Sequence, residues 1–149
     1  MTPPELLLQE TETFLHDQIP LAKAMGVKVE SFTEEALTIS APLEPNHNHL
    51  GTAFGGSLSV LATLAGYSVL WLEMGDREAH IVIRSSSIQY LHPVRGVLRA
   101  VCRRPGPEEL DRFRKQYEKS GKARMVLHVT LSEEGRECVL FEGIYVALR

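Results

Sequence analysis

Between Pro45 and Leu72 the chain carries no Asp, Glu, Lys or Arg. No other feature restricts the fold as strongly. Phe54-Gly55-Gly56-Ser57 opens the apolar part, and Leu58–Leu72 is almost wholly apolar or small. A helix of about 20 residues spans roughly 30 Å, the length of a membrane span. Glycine, serine and threonine dilute this one, however, and the flanking chain reads as strands. A helix apolar on every side is instead expected to be a central helix wrapped by its own domain, and a curved sheet is the economical cover.

The rest of the chain supplies that sheet. Thr2-Pro3-Pro4-Glu5 starts a helix running to about His16, and Ile19–Met25 forms a second short piece closed by Gly26. Val27–Phe32 and Leu37–Ala41 read as strands, Pro42–Leu50 as a loop, and residues 55–74 as the central helix. His80–His92, Val97–Arg103, Lys122–Leu131 and Cys138–Leu148 read as four further strands. A charged helical excursion at about 107–120 interrupts them and ends at Gly121. The expectation is one α+β domain over residues 1–149, with a curved antiparallel sheet around one helix.

Charge narrows the class of partner. The formal net charge is −3, which argues against a nucleic-acid binder. Residues 1–44 hold eight acids and two bases, whereas residues 99–124 hold nine bases and four acids. Cys102 and Cys138 sit among strand-like apolar residues and read as reduced, buried thiols, so a cytoplasmic location is expected. The first residues lack the pattern of a signal peptide.

Gly55, Gly56 and Ser57 are the first chemical candidates. The first turn of a helix leaves backbone N–H groups unpaired at the positive end of the macrodipole. Paired glycines let another group approach that backbone closely. A carbonyl whose oxygen becomes negative during a reaction would fit there; tight helix-against-strand packing would also explain the glycines. Asn46 and Asn48 in the preceding loop offer uncharged amides, either as substrate donors or as Asx turns. His49 could act as a base, and Thr52 and Phe54 flank the same entrance. His47-Asn48-His49 lacks the third and fourth ligands of a metal site. Arg84 and Ser86 occupy a long strand where apolar alternation lapses, which suggests either a wet edge or a site-facing patch.

Several pieces in order resemble the hotdog-fold thioesterase superfamily, in particular its YiiD C-terminal-type branch. They are Ala41-Pro-Leu, Pro45-Asn46-His47-Asn48, Gly51-Thr-Ala-Phe-Gly-Gly-Ser57, Tyr90-Leu-His-Pro93-Val94, Gly121-Lys-Ala-Arg124 and Tyr145-Val-Ala-Leu148. The resemblance implies a hotdog fold, an acyl-thioester substrate on coenzyme A or acyl carrier protein, no cofactor, and a site between the subunits of at least a homodimer. It places Asn48 at the polar position of an Asn-x-x-Gly-x-x-x-Gly-Gly pattern. It also exposes a departure. Many such enzymes carry Asp or Glu about two turns past the glycines, and here that position falls near Thr63, beside Ala62 and Leu64. Hydrolysis needs a base or nucleophile, whereas decarboxylation of a malonyl thioester needs chiefly a stabilised enolate oxygen. Malonyl-carrier decarboxylation is therefore the leading expectation, with Asn48, Gly55 and Gly56 as catalytic groups. Hydrolysis and non-catalytic acyl-thioester binding are the alternatives. Arg103, Arg104, Lys122 and Arg124 are the expected docking surface for a phosphorylated or acidic carrier.

Overall fold

A computed structural model describes residues 2–149. Helix α1 (Pro3–Gln18) starts with a reciprocal capping box: Thr2 Oγ1 accepts the Glu5 N–H, and the Glu5 carboxylate accepts the Thr2 N–H. Helix α2 (Pro20–Met25) ends at Gly26, whose φ of 76° is the left-handed cap that glycine adopts without strain. Strands β1 (Lys28–Phe32) and β2 (Ala36–Ala41) follow. A single irregular turn, α3 (Leu43–Asn46), lies inside the segment expected as loop. Then come the central helix α4 (Gly55–Met74), β3 (His80–Tyr90), β4 (Leu98–Arg103), α5 (Pro107–Ser120), β5 (Lys122–Glu133) and β6 (Arg136–Leu148).

The six strands form one antiparallel sheet in the order β1-β2-β4-β5-β6-β3. The β5–β6 hairpin extends beyond the expected strand ends because Glu134 and Gly135, both at positive φ, make a two-residue turn. Strand β3 is not beside its successor β4; it crosses over to pair with β6, from His80 against Leu148 to Tyr90 against Val139. Strand β4 reaches β5 only at Ala100–Cys102 against Val129–Leu131, and α5 packs against β5.

The sheet curves around α4, which touches β2 to β6. Leu58, Leu61, Leu64, Ala65, Val69 and Leu70 are buried. The expectation of a fully wrapped helix needs one correction. Gly56 is exposed and Val60, Thr63 and Tyr67 are only half-buried, and 3.6-residue periodicity aligns all four on one stripe. The sheet covers the opposite faces; this stripe stays partly open, with its Tyr67 end stacked on Phe14 of α1.

Candidate functional site

The loop before α4 is built by its two asparagines. Asn46 is 3% exposed, and its amide donates to the carbonyls of Met25 at 2.9 Å and Pro42 at 2.8 Å. Both amide hydrogens are thus engaged inside the fold, which corrects the expectation that Asn46 binds substrate. Asn48 nucleates a tight turn. Its Oδ1 accepts the N–H groups of Leu50 (2.8 Å) and Thr52 (3.2 Å), and its Nδ2 donates to Thr52 Oγ1 (2.9 Å). One Nδ2 hydrogen is left over from these contacts. His49 is exposed, and Leu50 at 74% exposure stands at the tip.

Two backbone bonds then aim the chain into α4: Ala53 N–H to the Val94 carbonyl and Phe54 N–H to the Asn46 carbonyl, each 2.8 Å. Phe54 occupies the N-cap position, where its apolar side chain provides no hydrogen bond. The first-turn amides of Gly55, Gly56 and Ser57 therefore have no side-chain partner among the described residues. The absence of side chains at 55 and 56 has a steric counterpart. A Cβ on Gly56 would lie 2.5 Å from Cε2 of Phe54, and one on Gly55 would lie 3.7 Å from the Tyr90 ring. Tyr90 also donates its phenolic hydrogen to the Gly55 carbonyl at 3.3 Å. Its place at the glycine turn was not foreseen. The available signal was an aromatic residue at the end of a strand immediately before Leu-His-Pro.

The remaining expected residues disperse. Ser57 is half-buried in the first turn. Arg84 and Ser86 are exposed on β3, about 20 and 13 Å from Tyr90 along the strand, so their own chain does not bring them to the glycine turn. Arg103, Lys122 and Arg124 are exposed. Arg104 is not a free docking cation: its guanidinium pairs with the Glu73 carboxylate, donates to the Thr33 carbonyl at 2.8 Å and stacks over Phe32.

No carboxylate approaches the glycines along α4. Thr63 Oγ1 donates to the Ser59 carbonyl at 2.9 Å, and the Thr63 carbonyl accepts from Tyr145 Oη at 2.8 Å. Glu73, the first acid of the helix, lies about 27 Å from Gly55. Its side chain is 3% exposed, paired with Arg104, and its carbonyl accepts from Arg114 at 2.6 Å. Among the described residues no three His, Cys, Asp or Glu side chains cluster as metal ligands would. A concavity of about 900 Å³ on the sheet's outer face, beside Arg103 and His128, does not include the glycine turn.

A family described as "Putative thioesterase (yiiD_Cterm)" matches residues 8–149. The chain belongs to that family. A solved protein of unknown function from Chlorobaculum tepidum TLS is 32% identical, with a TM-score of 0.91 over 98% of this chain and 96% of that one. A putative thioesterase from Shewanella oneidensis is 33% identical, with a TM-score of 0.84 over 97% and 99%. A Pseudomonas aeruginosa protein described as a probable thioesterase shares the fold at 22% identity, TM-score 0.80, over 99% and 96%. The hotdog architecture of this putative thioesterase family is thus the architecture of the chain.

Proposed function

We propose that this protein decarboxylates a malonyl thioester carried by acyl carrier protein, leaving an acetyl thioester that can prime fatty-acid synthesis. One observation carries the reading: along the stripe that continues from the glycine turn there is no carboxylate, and Glu73 beyond it is sealed by Arg104. The bond between the malonyl carboxylate carbon and C2 breaks, CO₂ leaves, and its electron pair moves through C2 onto the thioester oxygen. A proton from water then reaches C2, and the thioester itself stays intact. The amides of Gly55, Gly56 and Ser57, with the remaining Asn48 hydrogen, would hold the enolate oxygen. Donors of this kind are typically worth ~3–4 kcal/mol in the barrier. A carboxylate at Thr63 would repel the substrate's own carboxylate.

The working unit in this proposal is a homodimer joined through β3. That strand lies at the sheet edge with a free hydrogen-bonding side, and Val82, Ile83 and Tyr90 are exposed along it. Full antiparallel pairing of two such edges sets the His80 end of one beside the Tyr90 end of the other. Lys122 pairs with Leu148, which pairs with His80. A carrier docked on Lys122, Arg124 and Arg103 of one subunit would therefore serve the partner's glycine turn, with Arg84 and Ser86 between them.

Hydrolysis is the second reading, favoured by the family description and by His49 beside Asn48. Incubation with malonyl-acyl carrier protein separates the possibilities. Acetyl thioester is expected; free carrier thiol would mean a hydrolase, and unchanged substrate a binding module. Asn48→Ala should lower turnover at least tenfold, and full turnover by that variant would remove Asn48 from the mechanism.

A further inference from the structure

The glycine turn has a side-chain neighbour that the reaction above does not use. Tyr90 ends β3, is 52% exposed, and directs its hydroxyl at the Gly55 carbonyl from outside the helix. That carbonyl and the Gly56 N–H belong to one planar, resonance-coupled peptide unit. A hydrogen bond to the carbonyl oxygen polarises the unit and makes the N–H at its other end a stronger donor. Gly56 N–H is one of the first-turn amides left without a side-chain partner. The rest of the entrance is held by backbone bonds at Ala53 and Phe54, so Tyr90 provides the only side-chain hydrogen bond to the Gly55–Gly56 peptide among the described residues.

We propose that Tyr90 is a positioning residue for the thioester reaction, orienting and polarising the Gly55–Gly56 peptide without itself touching the reacting carbon. This inference rests on the acyl-thioester reading, but not on whether the product is acetyl thioester or free thiol, because both routes place negative charge on the same oxygen. A purely structural role predicts something different. A half-exposed phenol exchanges a bond to water for a bond to protein, so the contact adds little net stability. At 3.3 Å the bond is long for an O–H donor, and its contribution should grow as charge develops opposite the amide, appearing in kcat more than in KM.

Tyr90→Phe keeps the ring over Gly55 and removes only the hydroxyl. Expected are a kcat about tenfold lower on malonyl-acyl carrier protein, a KM within twofold of wild type, an unchanged thermal midpoint, and a moved Gly56 amide resonance in the ¹⁵N–¹H spectrum. Wild-type kcat, or a Gly56 resonance that stays in place, overturns the proposal. If wild type releases free thiol, the decarboxylase reading fails while the same kcat comparison still decides the role of Tyr90. If it turns over neither way, both enzyme readings fail and the positioning role of Tyr90 falls with them.

Discussion

Gly66 of the central helix lies directly against Tyr145 of β6. A Cβ there would lie 2.3 Å from the Tyr145 hydroxyl, the group that donates to the Thr63 carbonyl. Tyr145 is fully buried, and burial pushes its phenol well above the usual range, so it stays protonated and able to donate. Gly66→Ala must displace that ring or the helix. A loss of about 3 kcal/mol is expected, lowering Tm by roughly 10 °C; calorimetry within 2 °C of wild type would show that the packing yields easily. Residue roles were unevenly legible. The helix entrance at Gly55-Gly56 was readable because the pair directly precedes the apolar run that forms α4. The choice between Asn46 and Asn48 was not, since it depends on long-range bonds from Asn46 to Met25 that no local pattern announces. Tyr90 was hidden for the same reason, being 35 residues from Gly55.

The elements treat the sheet's two edges in opposite ways. At β1, Glu12 Oε1 accepts the Val29 N–H at 2.8 Å, and His16 Nε2 donates at 2.6 Å to the carbonyl of Val27, the residue just before the strand. Glu12 and His16, one turn apart on α1, thus satisfy edge groups that could otherwise recruit another strand. Nothing comparable covers β3 among the described residues. Replacing both Glu12 and His16 with Ala should cost about 2 kcal/mol or more, because the buried Val29 N–H loses its partner. It should also raise light scattering as the β1 edge begins to pair. A monodisperse variant with wild-type stability would show that α1 merely rests there. Strand identity was legible from alternation, but strand order was not: the crossover of β3 to β6 is a long-range outcome that short-range periodicity does not encode.

At the scale of the whole molecule, the central prediction concerns association. Val82→Lys puts a charge on the β3 edge and should yield monomers in sedimentation, with turnover falling in parallel because each glycine turn loses the neighbouring subunit. A monomeric variant with full activity would sink the proposal of a shared site. The charge-free run was informative at this scale. It identified the helix around which the domain is built, although the stripe Val60–Thr63–Tyr67 escaped notice because apolar residues look alike whether they face a sheet, a substrate or a second subunit.

The one tryptophan of the chain also has a use. Trp71 stacks on Phe14 of α1 with ring centroids 4.5 Å apart, Arg77 covers it at 3.7 Å, and its indole N–H has no partner among the described residues. Its emission therefore comes from a single buried fluorophore seated between the central helix and the helix that guards β1. Lifting α1 would hydrate that indole and shift its emission to the red, so the protein carries an intrinsic optical gauge of whether its guarded edge is closed.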